Sequence, residues 1–201
     1  TQLVNGNSLI GARRQCYIVD NLQTRAKGQH WYELAPERVP LDGAARKKKK
    51  QVYHFLLGDP GMSKYDDKVI KKLAPENINK IKAWNKEFIS PYSDNDIATL
   101  TRLSESIDKL WQEQIENRKQ LEAATRDSLS VYGHEEEQEG SHTSIREKDK
   151  ILHQIYKSEE QRNAGAYARL KFAMDYWCAL WFWPIEKADL LPNRMSFLFE
   201  L

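Results

Sequence analysis

The feature that most constrains this chain is a long apolar stripe. Ile97, Leu100, Leu103, Ile107, Leu110, Trp111, Ile115 and Leu121 recur mostly at steps of three and four. An α-helix brings residues so spaced onto one side, because each turn takes about 3.6 residues. Ser93 or Asp94 supplies an N-terminal cap, and the pattern runs to about Leu129, long for a globular helix. Gly133 breaks it, and residues 133–143, with Glu135-Glu136-Glu137, read as a mobile acidic tip. A second stripe then carries Ile145, Ile151, Leu152, Ile155, Tyr156, Leu170, Phe172, Ala173, Tyr176, Trp177, Leu180 and Trp181. It opens near Thr143 or Ser144, where Glu147 is placed for a capping box, and ends at Pro184. Two long amphipathic helices joined by a short polar loop predict an antiparallel helical hairpin. Trp177, Trp181 and Trp183 place its base in a packed core.

The N-terminal part is less regular. Asn5-Gly6-Asn7-Ser8 is a turn, residues 12–22 allow a short helix, and Gln23 to Asp42 reads as a surface loop. Gln51 to Leu57 is aromatic, β-branched and apolar, which predicts a strand or buried extended segment stopped by Gly58-Asp59-Pro60-Gly61. Asp66 to Leu73 predicts a helical turn, and Pro75 opens a helix through Ile78, Ile81, Trp84 and Phe88, closed at Ser90-Pro91. The expected fold is therefore mainly α: a long helical hairpin (93–201) plus a smaller α-rich part (1–92) with short extended segments. The chain starts at Thr1 and closes on the β-prone run Phe197-Leu198-Phe199-Glu200-Leu201, so both ends are expected to be cuts through buried elements of a larger protein.

Composition excludes several classes. With 40% hydrophobic and 30% charged residues the chain is globular in kind. The apolar stretch Trp177 to Ile185 is too short to span a bilayer, so no membrane association is expected. Two distant cysteines, Cys16 and Cys178, do not make a disulfide scaffold, and a reducing, cytoplasmic setting is expected. No two glycines stand as Gly-x-Gly, and the five histidines are never spaced to put two ligands on one helix face. No catalytic residue and no metal ligand is therefore assigned.

A net charge of +2 gives no argument for nucleic acid from the total. Local clustering does: Arg46, Lys47, Lys48, Lys49 and Lys50 are consecutive cations, and each phosphate they neutralised would release counterions. The ordinary fate of such a run is a solvated loop.

Three segments together resemble a family. Asn5-Gly6-Asn7-Ser8-Leu9-Ile10-Gly11-Ala12-Arg13 looks like the Gly-Asn-Ser-Leu-(Ile/Val)-Gly turn of large adenine-specific (N6) DNA methyltransferases of the fused restriction–methylation or phage-defence (BREX- or DISARM-like) type. Tyr53-His54-Phe55-Leu56-Leu57-Gly58-Asp59-Pro60-Gly61-Met62 resembles a stretch of the phage-defence branch. Ala173-Met174-Asp175-Tyr176-Trp177-Cys178-Ala179-Leu180-Trp181-Phe182-Trp183-Pro184 resembles the helix end that precedes the family's catalytic motif. The resemblance takes in both ends and part of the middle, about half of the chain, and apart from that helix end the hairpin is generic.

It implies a parent enzyme that uses S-adenosylmethionine, acts on duplex DNA by base flipping, and works beside restriction or defence-system subunits. Neither the Asn-Pro-Pro-aromatic motif nor the Gly-rich cofactor loop lies in this chain. Asn7 alone carries over, as a neighbour of the cofactor. The segment is then expected to be a DNA-contacting or subunit-docking insertion, inactive alone and without a cofactor of its own. Two rivals are a stand-alone helical adaptor that dimerises and a nonspecific DNA-binding protein that uses only the lysine run.

Overall fold

The computed structural model describes residues 10–23, 29–40, 46, 50–126, 144–156 and 165–201. The expectation of a mainly helical chain with short extended segments is met. Two compact units are present, and their limits differ from a cut after residue 92. The first is Thr1–Asp108 with Lys171–Leu201, and the second is Lys109–Leu170. The first part of the long helix belongs with the N-terminal residues because its buried Leu100, Ser104 and Ile107 pack there rather than forming part of a free arm.

In the first unit, β1 (Gln15–Ile18), β2 (Glu37–Arg38) and β3 (Gln51–Tyr53) make an antiparallel sheet in the order β2-β1-β3. Cys16 faces Glu37 on one side and Tyr53 on the other. The short helix expected over residues 12–22 is thus a strand in its middle, and helix is confined to one turn at its end, α1 (Asp20–Gln23). Cys-Tyr-Ile favours a strand once β3 lies alongside, since sheet preference depends on neighbouring strands. The expected 23–42 loop likewise contains β2 and a 3-10 turn at Trp31–Glu33, with Trp31 and Val39 buried. β3 is entirely buried and passes directly into a 3-10 turn, His54–Leu56.

The helices follow their caps. In α2 (Lys68–Leu73) the Asp67 carboxylate accepts from Val69 N at 2.8 Å and Ile70 N at 3.0 Å. Pro75 stands at the start of α3 (Pro75–Phe88), which buries Ile78, Ile81 and Phe88. A pyrrolidine there costs nothing, because that N–H would have no helical partner. Ser93 and Asp96 satisfy one another's backbone N–H groups at the head of α4 (Asp94–Thr125).

In the second unit, α4 continues from Lys109 and α5 (Ile145–Tyr156) begins. Ser144 and Glu147 form the expected capping box, at 3.0 and 3.3 Å. The acidic tip lies outside the described residues. The single second helix expected up to Pro184 is interrupted by a bend at Gly165; α6 (Ala166–Ala179) begins after it, and its residues from Lys171 onward belong to the first unit.

The C-terminal run is not a strand. Asn193 caps α7 (Arg194–Glu200) by accepting from Ser196 N at 2.8 Å. Phe197 and Leu198 are buried, with the Phe197 ring against Phe88 and Tyr176. Once a cap and a packed face are in place, they outweigh the β preference of Phe and Leu. Among the described residues no helix is long and apolar enough to cross a membrane.

Candidate functional site

Three places in the first unit bear on function: the basic segment, the junction of two of the resembling segments, and a pocket beside α3. In the basic segment, Arg46 points inward. Its Nε lies 2.8 Å from Asp108 Oδ2, with the guanidinium side chain 4% exposed. Its Nη1 donates to the Gln51 carbonyl, and its carbon sits 5.7 Å from the centre of the Tyr53 ring.

Asp108 also accepts from the Tyr53 hydroxyl at 2.7 Å. Burial, with that hydrogen bond, raises the Tyr53 phenol well above its ordinary value. A guanidinium committed to a covered carboxylate and a carbonyl cannot also meet solvent phosphate, so the expectation of a DNA contact is corrected for Arg46. Lys50 remains outward, 77% exposed and 3.8 Å from Asp20. Lys47, Lys48, Lys49 and Asn7 lie outside the described residues.

The junction brings together Tyr53–Met62 and Ala173–Pro184, two of the segments that carried the family resemblance. Trp177 Nε1 donates to the Leu57 carbonyl at 2.8 Å across 120 residues of sequence. The indole also meets His54 edge to face at 5.1 Å. Ser63 Oγ donates to the Leu180 carbonyl at 2.6 Å. Gly61 lies so close to Trp181 that a Cβ there would come within 2.7 Å of the indole.

His54 Nε2 accepts the Arg13 N–H at 2.7 Å, which identifies the neutral ring. Burial brings the His54 imidazole down to about 4. In the same turn Asp59 accepts from Gly61 N at 2.8 Å, and burial raises its carboxyl above the ordinary value. On the sheet beneath, burial pushes the Cys16 thiol up to about 12, far from a reactive thiolate.

The pocket has a volume of about 260 Å³ and lies between α3 and the Pro60–Asp66 turn. Ile78, Lys82, Asn85, Lys86 and Ile89 come to it from one helix side, at spacings of three, four and one. Pro60 and the run Met62 to Asp66 form the other wall. The wall is pinned by Asn85 Nδ2, which donates to the carbonyls of Asp59 and Met62, both at 3.1 Å.

Tyr65 gives its hydroxyl proton to the Trp183 carbonyl. Ser63 takes a φ of 50°, unusual for a residue with a side chain, and its bond to Leu180 holds it there. Asp66 pairs with Lys64 at 3.4 Å and Lys71 at 3.2 Å. None of the ion pairs seen among the described residues involves Lys82 or Lys86. No group of acidic, histidine or cysteine side chains among the described residues is arranged to hold a metal.

Sequence reasoning passed over the pocket. The α3 spacing of Lys82 and Lys86 was legible, but the wall that faces them comes from a turn whose path no periodicity encodes. Compared with known proteins, the chain matches no family model, no curated protein and no solved structure.

Proposed function

We propose that this chain is a segment of an S-adenosylmethionine-dependent, adenine-specific DNA methyltransferase from a restriction–modification or phage-defence system. In that reading it is a DNA-contacting or subunit-docking insertion that does not catalyse by itself. The supporting observation is the junction just described: two segments that resemble one family, far apart in sequence, pack through Trp177, Leu57, His54, Gly61 and Trp181. Phosphate contact falls to Lys47–Lys50, with Arg46 as the inward anchor beside that run.

The test is methyl transfer by the whole polypeptide expressed from the source reading frame. Labelled methyl from S-adenosylmethionine should appear at adenine N6 of duplex DNA, and its absence would remove the reading. For the DNA-contacting role, Lys47–Lys50 replaced by Ser should flatten the dependence of log K on log salt, by about 0.9 for each phosphate no longer neutralised. An unchanged slope takes the run out of the interface.

The adaptor reading is favoured by one observation in the second unit. Ile145 and Leu152, seven residues apart on α5, are 78% and 44% exposed, as a self-pairing helix would leave them. Light scattering decides that point: a monomer at all concentrations ends the adaptor reading.

A further inference from the structure

We propose that the pocket beside α3 is a binding site for a small amphipathic anion, an aromatic body carrying one phosphate, sulfonate or carboxylate. Three features set that class. The cavity of about 260 Å³ suits a small ring system and falls below the usual size for a drug-sized ligand or cofactor. Its floor is apolar, made by Met62, Ile78 and Ile89, with Met62 and Ile78 buried. The polar groups around it already have tasks: Asn85 holds the 59–62 turn, Ser63 holds Leu180, and Tyr65 holds Trp183. What remains to face a ligand, beside the Asp66 carboxylate that also lines the pocket, is the pair Lys82 and Lys86.

Lys82 and Lys86 stand one helical turn apart on the pocket's side of α3, while Asp66 is shared between Lys64 and Lys71. Two ammonium groups above an apolar floor attract an anion and repel a cation, and an anion without an apolar body would leave the floor wet. The wall is tied down on both sides by Asn85 and Ser63, so little ordering is needed on binding. The proposal depends only on residues of the first unit and stands or falls independently of methyl transfer.

The experiment titrates the full 201-residue chain with naphthalene-1-sulfonate and follows its fluorescence anisotropy. One saturable site is expected, displaced by phenyl phosphate and not by benzyl alcohol. The double variant Lys82→Ala/Lys86→Ala should weaken binding at least about tenfold, the effect of removing two charges from a partly exposed site. Lys72→Ala/Lys187→Ala, outside the pocket, should leave it within about twofold.

All four lysines are exposed, so each variant is expected to melt like the parent, and melting curves check this. Amide shifts in a ¹⁵N spectrum locate the site: phenyl phosphate should move Ser63, Lys82, Asn85 and Lys86. Equal affinity in both double variants, shifts elsewhere, or no saturable binding would overturn the proposal.

Discussion

Arg194 closes the end of α3, and replacing it tests how the first unit is held together. Its Nη2 donates to the carbonyls of Glu87 at 2.9 Å, Phe88 at 2.9 Å and Ser90 at 2.7 Å. Nε donates to Phe88 O at 3.3 Å, and Nη1 reaches Pro91 O and Asp96 Oδ2, each at 3.3 Å. The guanidinium lies 4.2 Å from the centre of the Tyr92 ring. Carbonyls at a helix C-terminus lack intrahelical donors and carry partial negative charge, so a cation there serves both needs.

Arg194→Met keeps the apolar cover over Tyr92 and removes every donor. A hydrogen bond from a charged group contributes about 1.5–3 kcal/mol, a helix-end cation up to about 2, and stacking on Tyr92 about 1. One charge serves all of them, so these do not add. With the side chain 15% and Asp96 21% exposed, screening is modest, and a destabilisation of about 3 kcal/mol is expected.

For a chain of this size that corresponds to a fall in Tm of about 6–12 °C. Arg194→Lys keeps the charge but cannot span carbonyls on both sides of the turn, so it should cost about half as much. Urea unfolding followed by tryptophan fluorescence measures both. If Met costs under about 1 kcal/mol, or Lys matches Arg, the clamp argument fails.

Three further outcomes are expected. His54 titrates near 6.5 in the unfolded chain and about 4 in the fold, so the unfolded state alone gains a proton between these values. Stability should therefore be complete above pH 6.5 and fall as pH drops toward 4, by about 3 kcal/mol at most; His54→Gln, which keeps an acceptor for Arg13 N, should flatten that slope, and parallel curves would refute the assignment. Gly58→Ala would set a Cβ 2.6 Å from Phe88 Cδ1 and should cost about 1–3 kcal/mol, whereas Gly11→Ala meets nothing within 4 Å; equal melting of the two would refute it. Arg46→Met leaves Asp108 covered without its guanidinium partner and should cost about 3 kcal/mol while leaving the salt dependence of DNA binding unchanged; an altered salt slope would return Arg46 to the interface.

Local rules wrote much of the fold into the sequence. The three- and four-residue steps from Ile97 onward, Pro75 before Glu76 and Ser144 with Glu147 each link residues that are neighbours along the chain, and each appears where expected. These are capping and periodicity effects, satisfied inside a single segment whatever surrounds it. Tertiary structure decided the rest, because the deciding partners are distant in sequence. Cys16-Tyr17-Ile18 is a strand because Val52 and Tyr53 lie beside it. Phe197 and Leu198 are helical because a face bounded by Phe88 and Tyr176 receives them.

Charge shows the difference most sharply. In sequence Arg46 belongs with the lysines that follow, but Asp108, sixty-two positions away, takes it into the interior. Lys82 and Lys86, unexceptional on the helix, become the rim of a pocket only when the Pro60–Asp66 turn folds across from them. A sequence states what each residue can do; whether a cation meets solvent, a carboxylate or a ligand depends on which remote segment is brought within a few ångströms.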